Sequence, residues 1–258
     1  MAFIKFIGTA GARFVVMKQF RASGGVWLSS GETNLYIDPG PGALVHCLRS
    51  KPKLDPAALD GILLTHKHLD HSGDVNVMIE AMTDGGFKKR GILFAPGDAL
   101  EGDPVVFKYL RDYVKEIVAL KEKRDYRIGD IVFSTGQKHR HGVETYGLNF
   151  RIASRTVSWI TDTRFFPDLP DLYRGEILII HVVRLNPIGD DSIDHLSMED
   201  VKTILKKAKP KLTVLTHFGM TMIQAKPWVV AAELEKELKM RIVAASDGLK
   251  LNLEEVPT

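Results

Sequence analysis

The stretch "THKHLDHSG", residues 65–73, gathers three of the chain's nine histidines and one aspartate into six positions. In a shuffled chain of this composition, an HxHxDH match is an event of about one in a thousand. A polar turn that is rich in histidine by chance is therefore a weak explanation, and a pH-sensing cluster is a second one. Closely spaced imidazoles and a carboxylate are the donors that bind metal cations, so the stretch favours a metal site.

The length and composition of the chain predict one soluble globular domain over residues 1–258. Of the 258 residues 45% are apolar, which suffices for a sizeable core. The amino terminus lacks the pattern of a secretory signal, and no apolar run approaches the ~20 residues of a membrane span. We therefore expect a cytoplasmic protein that does not enter a membrane.

The cysteine content limits which residue types can bind a metal in this chain. Cys47 is the only cysteine, which excludes an intramolecular disulfide, a CxxC redox pair and a multi-thiolate zinc site. A metal must therefore be bound by His, Asp or Glu. We expect Cys47 itself to be a small buried residue rather than a reactive thiol.

The charge balance gives only a weak case for RNA as a partner. The formal net charge is +3 and the isoelectric point is about 8.8, short of the strongly basic balance of a dedicated nucleic-acid binder. Local basic runs such as residues 206–211 have the spacing of solvated helix ends and loops.

Hydrophobic periodicity predicts a layered α/β sandwich in which strands and helices alternate. In the first third, strands are expected at residues 3–8, 13–20, 26–30 and 34–38, and a short helix at 43–49. The histidine-rich stretch follows a buried strand at 61–66 and precedes a helix that starts near Asp74. Further on, we expect a helix around 104–113 and two long helices, Met198–Ala208 and Pro227–Leu238, between strands.

Three more candidate ligands follow apolar strands. A binuclear site needs about six to eight protein ligands, so the stretch at 66–71 should be joined by others. His141 follows "DIVFSTGQKHR", Asp162 ends "TVSWITD" and His217 ends "LTVLTH". Side chains at the carboxyl ends of strands can leave the sheet and enter a shared cleft.

Taken together, "THKHLDH", the later histidine, the strand-ending aspartate and the final "TH" resemble the metallo-β-lactamase superfamily, an αββα sandwich with two metals. "GTAGAR" and "LYIDPGPG" extend the resemblance over nearly the whole chain. It implies that one metal is bound by His66, His68 and His141, and the other by Asp70, His71 and His217, with Asp162 bridging both. It also makes Asp38 a candidate partner of a ligating imidazole. The expected cofactors are two divalent ions, zinc or manganese, and iron also accepts these ligands.

Within the superfamily, "HRHGVETYGLNFRI" and "DHLSMEDVKTILKKAKPKLTVLTHFG" resemble the phosphodiesterase branch with ribonuclease Z and the phosphoribosyl cyclic phosphodiesterases. This resemblance implies catalytic roles for Asp70 and for His195, which would stabilise or protonate the leaving oxygen. Such acid work suits a histidine with a pKa near its ordinary value, which we expect for His195. A thiolate ligand has no counterpart here, so antibiotic hydrolysis is not expected.

Two departures from that branch bear on the substrate. Only twenty residues separate His141 from Asp162, where bacterial ribonuclease Z inserts its transfer-RNA arm. The cyclic phosphodiesterases usually carry a cysteine-based zinc site that this chain cannot form. We therefore expect a small phosphodiester or nucleotide substrate, cleaved by hydrolysis with metal-activated hydroxide.

Other functions stay open alternatives: a thioester or lactone hydrolase, a tRNA 3′-processing endonuclease without the usual arm, an iron redox enzyme, or a nucleic-acid-binding scaffold. The oligomeric state is also open, with a homodimer as one option.

The remaining histidines and one arginine carry weaker signals. His139 is the main rival of His141 and is expected beside solvent or substrate. His46 is expected half-buried on a helix, and His181 is expected at a strand end without a site role. Arg164 is equally compatible with a substrate phosphate and with a surface ion pair.

Overall fold

Two seven-stranded β-sheets face each other in the computed structural model, which describes residues 1–187 and 194–256. The strands of the first sheet are β1 (Ala2–Phe6), β2 (Val26–Ser30), β3 (Thr33–Ile37), β4 (Gly61–Leu63), β5 (Ile92–Ala95), β6 (Glu116–Ala119) and β14 (Lys250–Asn252). They lie in the order β14-β1-β2-β3-β4-β5-β6. The pairs from β14 to β3 are antiparallel, and those from β3 to β6 are parallel.

The second sheet repeats this plan. Its strands are β7 (Asp125–Ile128), β8 (Ile131–Thr135), β9 (Leu148–Ile152), β10 (Arg155–Ile160), β11 (Ile177–His181), β12 (Leu212–Thr216) and β13 (Ile242–Ala244). Their order is β13-β12-β11-β10-β9-β8-β7, antiparallel from β7 to β10 and parallel from β10 to β13.

Helices connect the strands. They are α1 (Ala12–Lys18), α2 (Ala43–Arg49), α3 (Leu69–Ser72), α4 (Val75–Met82), α5 (Gly97–Leu100), α6 (Leu169–Leu172), α7 (Met198–Ala208), α8 (Met220–Gln224) and α9 (Pro227–Leu238). Short 3-10 turns cover Pro56–Ala58, Lys108–Tyr113 and Leu253–Glu255. In the ranges 1–187 and 194–256, none of the helices has the length and apolarity needed to cross a membrane.

Three apolar clusters hold the layers together. The first joins residues of both sheets, such as Phe6 and Phe133. In the second, Met78 of α4 packs against the first sheet, and in the third, Leu205 of α7 packs against the second sheet. Each large apolar side chain that is fully buried contributes roughly 1.5–3 kcal/mol. This layering confirms the predicted four-layer αββα sandwich.

The strand predicted at residues 13–20 is wrong, because this segment forms α1. Its valines favour a strand, but both edges of β1 are already occupied, by β14 and by β2. Only Val15 of the helix is buried, whereas Phe14 and Met17 are exposed. The helix expected around 104–113 is reduced to a 3-10 turn over Lys108–Tyr113.

Candidate metal centre

Parallel strands bring the candidate ligands to one edge of each sheet. The loop that begins at His66 follows β4, and α3 turns the chain at Leu69. In the second sheet Asp162 follows β10 and His217 follows β12, which both pair in parallel with β11. Because parallel strands end at the same edge, these loops meet across the gap between the two sheets.

The first group of donors contains His66, His68 and His141. Each offers one nitrogen, and these nitrogens lie within 4.8 Å of one another. Nε2 of His141 is 3.0 Å from Nδ1 of His68, while its Nδ1 lies 3.0 Å from the carbonyl oxygen of Asp194. That carbonyl can only accept, so Nδ1 of His141 carries the proton and Nε2 keeps its lone pair for a ligand role.

The second group surrounds one carboxylate oxygen. Oδ2 of Asp162 lies 3.3 Å from Nε2 of His217 and 3.6 Å from Nε2 of His71. Oδ2 of Asp70 is 3.7 Å from both of these nitrogens. Two ligands of a tetrahedral zinc ion lie about 3.4 Å apart, so the spacing suits atoms that share a cation.

Asp162 also reaches the first group. Its Oδ2 lies 3.9 Å from Nε2 of His66, and both side chains are buried. One carboxylate oxygen therefore faces both groups of imidazoles. This is the position expected of the bridging residue.

Several ring nitrogens at the centre have no hydrogen-bond partner within the part of the chain that the structure describes. They are the Nε2 atoms of His66, His71 and His217. Buried polar atoms without a partner are costly and rare, and bound cations would satisfy them. Imidazole nitrogens with carboxylate oxygens are also the donor set that zinc, manganese and iron accept. The residues present therefore fit a metal centre.

Asp38 contacts a candidate ligand, as predicted. Its Oδ2 accepts hydrogen bonds from Nδ1 of His71 at 3.0 Å and from Oγ1 of Thr65 at 2.7 Å. Its Oδ1 accepts from the backbone N–H of Thr65 at 2.7 Å. The bond to Nδ1 leaves Nε2 of His71 directed at the carboxylates of Asp70 and Asp162.

Burial and neighbouring charges shift the pKa values of several residues at the centre in opposite directions. Burial, followed by the neighbouring His71, lowers the pKa of His66 well below its ordinary value. Burial also lowers the pKa of His71, but the carboxylates of Asp70, Asp38 and Asp162 outweigh it and raise that pKa well above its ordinary value. Burial raises the pKa of Asp162, yet the surrounding His217, His181 and His195 hold it well below its usual range. Asp162 is therefore ionised, as a cation ligand must be.

Residues 33–218 match a protein family described as the β-lactamase superfamily domain. The chain belongs to the metallo-β-lactamase superfamily. An uncharacterised protein of Methanocaldococcus jannaschii is 28% identical and covers 97% of this chain and 94% of its own. A Staphylococcus aureus protein named a metal-dependent hydrolase is 23% identical over 77% of this chain and 84% of its own. The predicted class of enzyme agrees with that name.

Solved structures share the superfamily fold over nearly the whole chain. The metallo-β-lactamase fold protein YhfI from Bacillus subtilis has a TM-score of 0.80 at 19% identity, with 97% of this chain and 98% of that chain covered. A diphosphatase from the PhnP family has a TM-score of 0.72 at 22% identity, with 98% of both chains covered.

His195 lies beside the metallo-β-lactamase ligand set. Its Nδ1 is 3.6 Å from Oδ2 of Asp162 and has no hydrogen-bond partner in the described chain. Arg184 donates to the backbone carbonyl of His195 at 2.7 Å, and Ser197 with Asp200 forms the capping box that starts α7. The chain on the carboxyl side of His195 is thus fixed by a helix start.

The expectation that His195 has a nearly ordinary pKa is wrong. Burial lowers its pKa to about 4, and the imidazoles of His217 and His141 act in the same direction against the carboxylate of Asp162. His195 is therefore neutral at neutral pH in the metal-free protein.

Two other histidines differ from expectation in their positions and contacts. His139 is buried rather than beside solvent, and its ring nitrogens contact the hydroxyl of Tyr173 at 2.7 Å and the backbone carbonyl of Asp162 at 3.2 Å. This leaves His141 as the histidine of this segment that faces the centre. His181 was expected to have no site role, but it lies at the centre, 2.9 Å from Oδ1 of Asp162.

The sequence held a signal for His181. Ile177 and Ile179 belong to the cluster between the sheets, and residues at intervals of two along a strand share one face. His181 is the next residue on that face, at the end of β11 beside the strand that leads to Asp162.

Other expectations concern residues that are not candidate ligands. Cys47 is fully buried and His46 is half-buried on α2, as predicted. Nε of Arg164 lies 3.4 Å from Oδ1 of Asp194, which is the ion-pair alternative.

An open cleft leads to the metal centre. Its volume is about 300 Å³, and it is lined by Ala12, Arg13, His68, Leu69, Asp70, Asp162 and His195. The cleft thus combines candidate ligands, the candidate acid and one arginine, together with the exposed side chain of Leu69.

Proposed function

We propose that this protein is a binuclear metal-dependent phosphodiesterase that hydrolyses a small phosphodiester or nucleotide. The observation that carries the proposal is the position of His195. It lies in the same cleft as the ligands, with Nδ1 3.6 Å from the oxygen of Asp162 that faces both donor groups. A carbonyl hydrolase can use the same ligands, but the His195 segment favours a substrate whose leaving oxygen needs a proton.

The chain supplies the ligands and the polar groups around the reacting atoms. Two divalent cations bound by such a set would lower the pKa of bound water and neutralise negative charge on a phosphate. His66, His68 and His141 would hold one cation, Asp70, His71 and His217 the other, and Asp162 both. Asp38 orients one of these ligands through the hydrogen bond to His71.

His195 would act as an acid when the charge of a bound substrate raises its pKa. Its pKa is about 4 in the free protein because the ring is buried. A phosphate anion in the cleft would favour the protonated imidazole and raise this pKa, against the opposite effect of the two cations. The expected role of His195 is to give that proton to the leaving oxygen. A substrate without negative charge would not gain this effect.

The dimensions and lining of the cleft support a small anionic substrate. A volume of about 300 Å³ is at the lower end for small-molecule pockets. Arg13, which also lines the cleft, suits a planar contact with phosphate oxygens. Between His141 and Asp162 the chain forms β9 and β10 without an inserted arm, which favours a small phosphodiester over transfer RNA.

The test compares two chemistries on one preparation. Protein reconstituted with zinc or manganese is assayed on bis-p-nitrophenyl phosphate and on a thioester, with the His195→Ala variant beside it. We expect phosphodiester hydrolysis that is lost without metal and falls by about 10²–10⁴-fold in the variant. Hydrolysis of the thioester alone would refute the proposal. A screen of 2′,3′-cyclic nucleotides, ribosyl cyclic phosphates and precursor tRNA then identifies the substrate.

A further inference from the structure

We propose that His181 is a positioning residue, which holds the carboxylate of Asp162 in its bridging orientation, and that Trp159 selects the tautomer of His181 that can do so. The inference rests on the proposed function in one respect, namely that cations bind at the centre. It assigns no ligand role to His181, although His181 lies within 4.8 Å of His71, Asp162 and His217.

The two strands β10 and β11 place the three side chains in contact. They pair in parallel with Trp159 opposite Ile179. Trp159 lies in the cluster between the sheets, and His181 continues the face of Ile179. Nε1 of Trp159 lies 3.0 Å from Nε2 of His181, and Nδ1 of His181 lies 2.9 Å from Oδ1 of Asp162.

The chemistry of the indole determines where the proton of His181 lies. Indole N–H is a donor only, so Nε2 of His181 must accept the bond from Trp159. The neutral imidazole then carries its proton on Nδ1 and donates it to Oδ1 of Asp162. Oδ1 is thereby occupied, and Oδ2 alone points at the imidazoles of His71 and His217.

This arrangement argues against His181 as a third imidazole ligand. Both of its nitrogens have a partner in the described chain, so neither has a lone pair directed at a cation. Its ring instead stacks on the ring of His217, with centroids 4.4 Å apart and planes inclined by 15°. His181 therefore constrains two ligands, Asp162 by a hydrogen bond and His217 by packing.

The test measures metal binding rather than turnover. Dissociation constants for zinc are measured by competition with a chromophoric chelator in the wild type and in four variants: His181→Ala, His181→Asn, Trp159→Phe and Trp27→Phe. The asparagine amide can reproduce the Nδ1–H donor. Trp27→Phe is a matched control, because Trp27 is also buried and donates Nε1–H, at 3.1 Å, to Asn34 away from the centre.

We expect His181→Ala and Trp159→Phe to weaken the binding of at least one zinc ion about 10–100-fold, the usual effect of removing a partner of a ligand. His181→Asn should recover most of the loss, and Trp27→Phe should bind like the wild type. Ring ¹⁵N shifts in the zinc-loaded protein should show a protonated Nδ1 on His181, and the visible spectrum of the cobalt-substituted protein should change in Trp159→Phe.

The experiment distinguishes failure of this inference from failure of the proposed function. Wild-type affinity in both His181→Ala and Trp159→Phe overturns the inference and leaves the proposed function intact. Loss of a cation in His181→Asn together with an unchanged Trp159→Phe shows that His181 is a ligand, which also overturns it. A wild-type protein that binds no cation refutes the proposed function and, with it, this inference. If His181→Ala does not fold, the zinc affinity of Trp159→Phe and the ¹⁵N shifts of His181 test the inference instead.

Discussion

Asp38 and His71 are joined by a buried contact of 3.0 Å between Oδ2 and Nδ1, and Asp38 makes it from a left-handed backbone conformation with φ of 52°. The same carboxylate accepts both donors of Thr65, the residue that begins the histidine-rich stretch. Aspartate and asparagine tolerate this backbone conformation better than most residues. Asp38 thus ties the end of β3 to the loop after β4 and orients a ligand at the same time.

Asp38→Asn should lower both the stability of the fold and the affinity of the centre for zinc. The substitution keeps the size and the backbone preference but replaces a carboxylate oxygen by a donor, so at least one buried hydrogen-bond donor is left without a partner. We expect a loss of about 2 kcal/mol in the free energy of unfolding and a 10–100-fold weaker affinity for zinc. Denaturant unfolding and chelator competition measure the two effects.

Asp60→Asn is the control for Asp38→Asn. Asp60 also accepts a backbone hydrogen bond, from Asn34 at 2.9 Å, but it lies away from the centre. The zinc affinity of the Asp60→Asn variant should equal that of the wild type. Equal zinc affinity in both variants would show that Asp38 does not orient a ligand.

The pair His141→Asn and His139→Asn tests which histidine of this segment serves the centre. His141 faces His68, whereas His139 is bonded to Tyr173 and to a backbone carbonyl. We expect His141→Asn to lose one of two zinc ions per chain, and His139→Asn to retain both at some cost in stability. Metal analysis of the dialysed proteins measures the stoichiometry, and the reverse pattern would refute our assignment.

Removal of the metal should destabilise the protein, because three buried Nε2 atoms then have no partner in the described chain. Ligand binding to the native state alone stabilises it by ~2.7 kcal/mol at a free concentration of 100 times Kd. We expect the melting temperature to fall on treatment with a chelator and to rise again with added zinc. A melting temperature that is independent of zinc over a thousandfold range would contradict a metal centre in the native fold.

Cys47 should be inert in the folded protein near pH 8. Burial, as the largest effect, raises the pKa of its thiol from 9.0 to about 11. An acid whose pKa is raised in the folded state contributes stability at low pH, and that contribution falls as the pH rises from 9 towards 11. We expect alkylation by iodoacetamide at pH 8 to be slow until denaturant is added.

Comparison with Cys47→Ala isolates the thiol from other groups that titrate at alkaline pH. Between pH 9 and 11 the wild type should lose stability more steeply than the variant. Rapid alkylation of the native protein at pH 8 would show that the thiol is accessible and ionised.

Local patterns in the sequence predicted the elements that carry their own start and stop signals. The helices Met198–Ala208 and Pro227–Leu238 begin and end where the sequence placed them, the first at the Ser197 capping box and the second at a proline in its first turn. The segment at 13–20 has no such signals, and its strand-like composition was misleading. Whether a strand forms there depends on a free sheet edge, which is a property of the tertiary structure.

The sequence by itself determined the donor types, the tight cluster at 66–71 and the strand-end positions of Asp162 and His217, because these follow from residue chemistry and from the periodicity of strands. His141 was also expected at a strand end, but β8 ends at Thr135 and His141 lies in the loop that follows. Only the tertiary structure decided the contact of His181 with Asp162, the exclusion of His139 and the lowered pKa of His195. Each of these depends on which atoms meet when two sheets close on one another. Hydrogen bonds and burial between distant residues have no local period that a sequence could display.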